Sequence, residues 1–284
     1  MILSKKLFVA LLLVPELLKP VVANQRCSSE STSVPKYHLM ERCYRSKMAV
    51  VGKANFTSLS SCQRLAIARK ALALNFSPVG VKKAGVEYSC EVLKCAEADN
   101  GVSLVNDTAF DYYSLYARPL PNVNSTCVPS IGMFHLLPKH LNYTDCLALC
   151  RNMSGLVPDV TSEQRTDALA QVLAGASVDA VFAGLRRWNS INFVADSLDC
   201  TTYRAWAPGH PRKNYTKYDC MVITRRKTWL STPCYKQFPV FCELIPGGPY
   251  KRRSIFARRQ NENGKCTVLS KYLPTNLPLR ILPT

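Results

Sequence analysis

The spacing of apolar residues predicts three amphipathic helices, followed by a group of strands. Apolar side chains recur at helical spacing over Gln63–Leu74, Tyr143–Met153 and Thr161–Leu173. Ser60 or Ser61, Thr144 or Asp145, and Thr161 or Ser162 are the candidate caps of these helices. Beyond the third helix, short apolar runs are separated by Gly, Pro, Asn and Asp, which predicts strands joined by long loops at Ala180–Leu185, Met221–Thr224 and Val240–Leu244. The C-terminal half therefore has an α+β pattern.

The first residues have the pattern of a secretory signal peptide. Lys5 and Lys6 precede the apolar run Leu7–Val14, and Val21 and Ala23 supply the small residues of a cleavage site. Residues 1–23 are therefore predicted to be a signal peptide; the alternative is an uncleaved anchor. The mature protein is expected to be secreted and extracellular, with no membrane span.

Cysteines and glycosylation sequons agree with secretion. An extracellular compartment is oxidising, so most of the 13 cysteines are expected in disulfides. Asn-x-Ser/Thr sequons predict a glycoprotein with these sites at its surface: Asn55, Asn75, Asn106, Asn124, Asn142, Asn152 and Asn214. The Asn75 sequon is followed by Pro78, which disfavours modification.

Length and charge add a two-domain organisation and a basic tail. The 284 residues suggest about two domains at roughly 150 residues each. The formal charge of +18 falls to +16 without the signal peptide, and residues 244–284 hold eight basic residues and one acidic residue. Prolines and the Pro246–Pro249 cluster predict a flexible tail over 245–284 that contacts acidic polymers or is cleaved at its basic pairs. Secretion argues against nucleic acid as the partner.

Residues 127–244 resemble a C-type lectin-like domain, on motifs that occur in family order. These motifs are Cys150, Gly155-Leu156, Phe182-Ala183-Gly184-Leu185, Trp206-Ala207-Pro208-Gly209-His210-Pro211, Asp219-Cys220, Trp229, Cys234 and Phe241-Cys242-Glu243. The resemblance implies two helices, antiparallel sheets and a long loop. It also implies the bridges Cys150–Cys242 and Cys220–Cys234. The core side chains would be Phe182, Leu185, Trp206, Trp229 and Phe241.

The sugar site of that family is altered in this sequence. Sugar-binding members place an acidic residue, Pro and an amide or acid in the long loop, and Trp-Asn-Asp on the next strand, as oxygen ligands for Ca²⁺. Here the loop has His210-Pro211-Arg212 and the strand has Trp229-Leu230-Ser231. A calcium site of the usual kind is not expected, so no cofactor is predicted. The nearby Asp196, Asp199 and Asp219 are expected to be solvated.

Residues 24–126 resemble a PAN/apple module, a disulfide-rich α+β fold. Cys62-Gln63 would open its helix, Ala73–Ser77 and Cys90–Leu93 would form strands, and Asp111-Tyr112-Tyr113 would lead to Cys127. The usual second helix cysteine is replaced by Ala66. An unrelated cysteine-stabilised module is the alternative.

The cysteines divide into six, six and one. The first six, whose pairing cannot be read from the sequence, are Cys27, Cys43, Cys62, Cys90, Cys95 and Cys127. Alternatively, Cys127 belongs to the lectin-like half. In that half, beside the two bridges that the resemblance implies, Cys146–Cys200 is expected as an extra bridge. Cys146 and Cys150 share a helix face and are not expected to pair with each other. Cys266 in the tail is left over, as an intermolecular bridge or a free thiol.

The sequence carries no enzyme signature. Gly-x-Ser-x-Gly, His-Glu-x-x-His and phosphate-binding loop motifs are absent. His135 and His140 lack a partnering carboxylate in the sequence, so neither is expected to bind metal. We therefore expect a binding protein and no catalytic residues.

The long loop, roughly Asp196 to Tyr218, is the expected ligand surface. It carries the basic residues Arg204, His210, Arg212, Lys213 and Lys217, which favour an extracellular protein or an acidic, sulfated glycan. This composition predicts recognition or adhesion in the extracellular matrix. The alternatives are a carbohydrate-binding lectin of innate immunity, calcium-dependent or not, and a disulfide-linked structural component of the matrix.

The leftover Cys266 makes a prediction about assembly. If it forms an intermolecular bridge, the wild-type protein will run as a disulfide-linked dimer on a non-reducing gel, and Cys266→Ser will run as a monomer. A reducing lane is the control. Monomeric migration of both proteins on the non-reducing gel would contradict the bridge.

Overall fold

A computed structural model describes residues 34–78, 86–98, 100–117, 120–121, 123–188, 192–194, 201–212 and 217–246, with the backbone alone for Trp188 and 192–194. The predicted signal peptide, Cys27 and most of the basic tail lie outside these residues. So do Asp196, Asp199, Cys200, Lys213, Asn214 and Cys266.

The N-terminal half is an antiparallel sheet with one helix packed on it. Its elements are β1 (His38–Ser46), β2 (Val50–Ala54), α1 (Leu59–Ala68), β3 (Ala73–Phe76), β4 (Cys90–Leu93) and β5 (Leu104–Ser114). The strand order is β1-β5-β3-β4-β2, so β3 is central, and its side chains are all buried. This is an α+β module; its resemblance to PAN/apple stays a prediction.

Helix α1 ends at Ala68, well before the predicted end at Leu74. The chain turns at Lys70, whose φ is 49°, and the Ala71 amide donates to the carbonyl of Ala66 at 2.8 Å. This arrangement is a Schellman motif, which terminates a helix whatever the hydrophobic spacing that follows. The apolar residues after the turn form β3 because both faces of that strand are covered.

The C-terminal half contains two helices and two four-stranded sheets. Its elements are β6 (Ser125–Val128), β7 (Gly132–Leu141), α2 (Tyr143–Asn152), β8 (Gly155–Leu156), α3 (Glu163–Gly175), β9 (Ala180–Trp188), β10 (Asn192–Val194), β11 (Cys220–Thr224), β12 (Trp229–Thr232) and β13 (Phe238–Leu244). One sheet has the order β6-β7-β13-β8 and the other β10-β9-β11-β12. The predicted helices, strands and α+β class are confirmed in this half.

The helices begin at polar caps. Ser58 caps α1, Asn142 caps α2 and Ser162 caps α3, each accepting a hydrogen bond from the amide three residues further on. The cap of α3 agrees with the sequence. The caps expected for the other two helices, among them Ser60 and Thr144, are wrong because those residues lie inside the helices.

The core of the C-terminal half consists of the aromatic and aliphatic residues that the motifs indicate. Phe182, Leu185, Trp229 and Phe241 are each at most 1% exposed, whereas Trp206 is half-buried and packs against the core from the long loop. Burial of such side chains stabilises a fold by roughly 1.5–3 kcal/mol each. The sheet that contains Trp229 is therefore stabilised by the burial of its side chains in this core.

Four disulfides join described cysteines: Cys62–Cys90, Cys95–Cys127, Cys150–Cys242 and Cys220–Cys234. The last two confirm the bridges that the family resemblance implies. The Cys150–Cys242 bridge spans 92 residues and is worth roughly 4–5 kcal/mol in the chain-entropy account. Cys43 is also disulfide-bonded.

The predicted Cys146–Cys200 bridge is wrong. Cys146 is a free thiol in the apolar cluster that also contains Cys150 and Phe182, and burial raises its pKa to about 11. Because Cys146 and Cys150 share one face of α2, both sulfurs are directed into the core of the domain.

The two halves share a hydrophobic core and belong to one compact unit. One cluster combines Leu93 and Tyr112 of the N-terminal sheet with Met133 and Leu244 of the C-terminal half. The Tyr116 hydroxyl accepts a hydrogen bond from the Met133 amide at 2.7 Å.

The disulfide Cys95–Cys127 crosses between the same halves, since Cys127 lies on β6 and β6 pairs with β7. We call this shared core, hydrogen bond and disulfide the seam. The domain boundary after residue 126 stays a prediction, but the residues on its two sides pack together.

One predicted glycosylation site is wrong. Asn75 is fully buried in β3. Its Oδ1 accepts a hydrogen bond from the Ser46 amide at 2.9 Å, and its Nδ2 donates to the Ser46 carbonyl at 2.9 Å and to Glu91 at 3.1 Å. The Nδ2 that would carry a glycan is thus enclosed in the fold.

The five other sequons in the described part of the chain are compatible with modification. The asparagines at four of them are exposed: Asn55, Asn106, Asn124 and Asn152. Asn142 is partly exposed and caps α2 through its Oδ1, an atom that a glycan on Nδ2 leaves in place. These five sites stay predictions.

Asn75 also supports a buried ion pair. Glu91 is 2% exposed and accepts hydrogen bonds from Arg45 at 2.5 and 2.9 Å. Burial alone would raise the pKa of Glu91, but hydrogen bonds from Arg45 and Asn75 outweigh it and lower that pKa. A buried pair of this kind depends on having every partner in place.

Replacing Asn75 is therefore expected to destabilise the protein. Asn75→Ala leaves the Ser46 amide and carbonyl without their buried partner and removes one of the hydrogen bonds to Glu91, which keeps Arg45. The free energy of unfolding should therefore fall by about 2–4 kcal/mol in urea titration. Asn106→Ala is the control, expected within about 0.5 kcal/mol of wild type on deglycosylated protein. A glycan on Asn75 in peptide mapping, or unchanged stability of Asn75→Ala, would contradict this account.

Candidate functional site

The long loop lies along the outer edge of β12. Strand β12 pairs with β11 on one side only, and the loop covers its other side. The Trp229 amide donates to the Ala205 carbonyl at 2.7 Å, and the Ala207 amide donates to the Trp229 carbonyl at 3.1 Å. Trp206 packs edge-on against the Trp229 ring at 5.6 Å. The loop is thus paired like an additional short strand.

A tight turn then directs the chain to His210. The His210 amide donates to the Ala207 carbonyl at 2.9 Å, with Pro208 and Gly209 between them. Gly209 has a φ of 78°, so this is the Pro-Gly pattern of a type II turn, in which glycine is strongly favoured at the third position. The His210–Pro211 peptide that follows is cis.

His210 and Ser231 form a compact hydrogen-bonded unit. The Ser231 amide donates to His210 Nδ1 at 3.0 Å, and the Ser231 hydroxyl lies 2.9 Å from the same nitrogen. The Ser231 hydroxyl also accepts a hydrogen bond from the Arg212 amide at 3.0 Å. We call these contacts the His210–Ser231 clasp. It fixes the loop on both sides of Pro211.

Arg212 is exposed and held in an extended position at the surface. Its guanidinium carbon lies 4.6 Å from the centre of the Tyr218 ring, and its Nη1 donates to the Tyr218 hydroxyl at 2.9 Å. The buried Arg187 of β9 donates through Nη2 to the Arg212 carbonyl at 2.7 Å. Its Nε lies 4.0 Å from Oδ1 of Asp219. The site thus contains cations fixed by neighbouring groups.

The other predicted ligand residues are arranged around this centre. Arg204 is exposed, and its guanidinium donates to the carbonyls of Thr201 and Tyr203 at 2.8 and 2.7 Å. Lys217 is exposed beside Tyr218, and Lys213 lies outside the described residues. The structure therefore places His210 and Arg212 together at Ser231, with Arg204 and Lys217 further along the same loop.

The residues at the family's calcium position do not fit a calcium ion. Ca²⁺ requires six to eight oxygen ligands, mostly carboxylates and carbonyls. Here the four positions hold an imidazole, a guanidinium, an alkyl chain and a hydroxyl: His210, Arg212, Leu230 and Ser231. The Ser231 hydroxyl already accepts a hydrogen bond from the Arg212 amide, and the positive charge of Arg212 acts on His210 and would disfavour a metal cation there.

The remaining histidines do not form a site in the described part of the chain. His135 is 6% exposed on β7, where burial lowers its pKa and its Nδ1 has no hydrogen-bond partner. His140 is exposed at the other end of the same strand. Among the described residues, no group of three or more His, Cys, Asp or Glu side chains is placed to hold a metal ion. Within those same ranges, no helix is long and apolar enough to cross a membrane.

The sequence motifs do not indicate how three residues organise the site. Ser231, Tyr218 and Arg187 come from three different segments, and only the register of the strands and the loop brings them together. One signal was available for Arg187, because the pair Arg186-Arg187 is unusual in an otherwise apolar strand. The family resemblance sets Ser231 and His210 among the altered calcium positions, but no sequence pattern indicates that they hydrogen-bond each other.

Comparison with known proteins identifies the C-terminal half. Residues 139–244 match the family model described as "Lectin C-type domain". Collectin-10 of Gallus gallus is 24% identical over 114 residues, which cover 39% of this chain. The matched part spans only 41% of that relative's own length.

Solved structures also match part of the chain. Human lithostathine matches at 18% identity and a TM-score of 0.38, covering 43% of this chain and 88% of that one. The C-type lectin CEL-I from Cucumaria echinata matches at 14% identity and a TM-score of 0.39, covering 44% and 97%.

The donor set at the loop makes a prediction about calcium. Titration calorimetry with Ca²⁺ should give no saturable heat at this site, and the melting temperature should be the same in excess calcium and in chelator. An ion present at 100 times its dissociation constant would stabilise the fold by about 2.7 kcal/mol, which melting curves readily detect. Stoichiometric binding that orders the loop would contradict our assignment.

Proposed function

Because residues 139–244 form a C-type lectin-like domain, a fold that binds carbohydrates and other ligands, we propose that this chain is a secreted glycoprotein that binds acidic ligands without calcium. Its target would be a sulfated glycan or an acidic protein of the extracellular matrix, and its role recognition or adhesion. The ligand surface would be the long loop, with Arg204, His210, Arg212, Lys213 and Lys217.

The observation that carries this proposal is the exchange of oxygen ligands for hydrogen-bond donors. The Arg212 guanidinium is exposed and held by Tyr218. His210 accepts at Nδ1, so its neutral ring carries the proton on Nε2 as a donor. A site of donors and cations is complementary to sulfate and carboxylate groups, and unfavourable for the metal ion and neutral sugar of the calcium-dependent members.

The geometry of Arg212 supports recognition of oxyanions. A guanidinium stacked on an aromatic ring keeps its planar fork oriented with little loss of entropy on binding, and that fork matches sulfate and carboxylate groups bidentately. Arg187 and the Ser231 hydroxyl hold the backbone of the same residue. The binding group is therefore pre-organised before any ligand arrives.

The charge of the whole chain favours the same class of ligand. The formal charge is +18, and +16 without the predicted signal peptide. An excess of this size attracts polyanions over distances of about a Debye length and makes association sensitive to salt. The PAN/apple-like module and the basic tail would add further contacts, and no enzymatic activity is proposed.

The proposal predicts the behaviour of loop variants on immobilised heparin, used as the sulfated probe. Arg212→Ala should weaken binding roughly fivefold, because an exposed charged contact contributes about 1 kcal/mol. The variant should therefore elute at lower salt than wild type. Arg212→Lys should lie between the two, because it keeps the charge and loses the planar fork.

The matched control is Arg64→Ala, which removes the same charge from an exposed position on α1. It should elute with wild type if the loop is the ligand surface. If Arg64→Ala and Arg212→Ala had equal effects, binding would depend on the net charge of the protein and not on the loop. Binding that is unaffected by salt would contradict an acidic ligand.

A further inference from the structure

An imidazole nitrogen takes the place of a backbone carbonyl at the edge of β12. The outward amides of this strand belong to Trp229 and Ser231, which are two residues apart. Trp229 pairs with a carbonyl of the loop, that of Ala205. Ser231 pairs with a side chain, that of His210. The second contact therefore depends on the protonation state of the ring, as a backbone contact would not.

The hydrogen bonds define that state. A backbone amide only donates, so Nδ1 of His210 must present its lone pair, and the ring is neutral with its proton on Nε2. The Ser231 hydroxyl accepts from the Arg212 amide and lies 2.9 Å from the same Nδ1. The clasp holds the loop in this one form of the ring.

Protonation of Nδ1 places an N–H group opposite the Ser231 amide. Ser231 is 3% exposed, so its amide would remain buried without an acceptor, which is unfavourable. The hydroxyl of Ser231 is still able to accept from the new N–H, but the amide contact becomes repulsive. The loop would have to move away from β12 to let water reach that amide.

The positive charge of Arg212 also opposes a charged ring. Arg212 follows in the loop, and Arg187 of β9 bonds the Arg212 carbonyl; Asp219 lies 4.0 Å from Arg187, and Tyr218 is engaged by Arg212. Strand β12 itself contributes no titratable side chain. Burial and the positive charge of Arg212 lower the pKa of His210.

The lowered pKa of His210 determines how the stability of the folded loop depends on pH. A histidine with a lowered pKa in the folded state stabilises that state above its unfolded value of about 6.5 and loses the contribution as the pH falls. The clasp is therefore intact at neutral pH and is weakened by acid.

We propose that the His210–Ser231 clasp fastens the long loop where relatives use calcium, and that acidification opens it, releases the loop from β12 and weakens the binding of acidic ligands. The effect on ligands rests on the proposed function; the effect on the loop does not. If the only result of protonation were an added positive charge, acidic ligands would bind more tightly in acid. The direction of the change thus separates the clasp from simple electrostatics.

Hydrogen exchange of the full-length protein tests the clasp without a ligand. Between about pH 7.5 and about pH 5, with rates corrected for intrinsic exchange, protection of peptides covering residues 201–212 and 229–232 should fall at least roughly fivefold in wild type. His210→Asn should keep its protection, because Oδ1 branches from Cγ as Nδ1 does and accepts from the Ser231 amide at every pH. His140→Asn, an exposed histidine on β7, should behave like wild type.

Elution from heparin at the same two pH values completes the test. Wild type should elute at lower salt in acid, whereas His210→Asn should not shift downward. An equal pH response of wild type and His210→Asn in exchange, or tighter wild-type binding in acid, would overturn the clasp. Acid-dependent exchange with no heparin binding at either pH would sustain the clasp and contradict the proposed function.

Discussion

The position of Trp229 determines the path of the long loop. Its ring is fully buried, its Nε1 donates to Thr166 of α3 at 3.3 Å, and its backbone amide and carbonyl pair with the long loop. One residue is therefore both part of the core and the template for the loop. Because Ser231 lies two residues further along the same strand, the register that Trp229 sets also brings the clasp together. The loop is placed by packing and hydrogen bonds within the protein.

This arrangement separates the path of the loop from the chemistry on its surface. The turn at Gly209, the Trp206 packing and the Cys220–Cys234 bridge all agree with the family pattern. The four positions that would ligate a metal instead hold an imidazole, a guanidinium, an alkyl chain and a hydroxyl. A fold fixes where a site lies, whereas the side chains at that site decide what it binds.

The sequence predicts those parts of the fold that depend on patterns local in the chain or shared with the family. The α2 and α3 helices, the strands around Phe182 and Phe241, and the bridges to Cys242 and Cys234 are of this kind. The end of α1 is different, because the turn at Lys70 overrides a hydrophobic spacing that continues beyond it.

The sequence could predict where the candidate site lies, but not which contacts hold it together. His210 and Arg212 are evident because they stand where oxygen ligands are expected. Their partner Ser231 is 21 residues from His210, and only the pairing of the loop with β12 brings the two together. The predicted partner of Cys146 is wrong for a related reason, because a disulfide depends on positions far apart in the chain and not on the helix face alone: Cys150 on that face is bonded to Cys242, whereas Cys146 is a free buried thiol. Likewise, Asn75 is buried because it lies on a central strand, and the three residues of its sequon do not indicate this burial.

The seam has a consequence for how this domain evolves and how it can be dissected. Many recognition domains fold alone and are exchanged between proteins as separate cassettes. Here a fragment that begins at Cys127 would lack Cys95 and would therefore leave the Cys127 thiol unpaired. It would also expose Met133 and Leu244 to water. The C-terminal half is therefore not a freely portable cassette, and we expect the two halves to be inherited, expressed and purified as one piece.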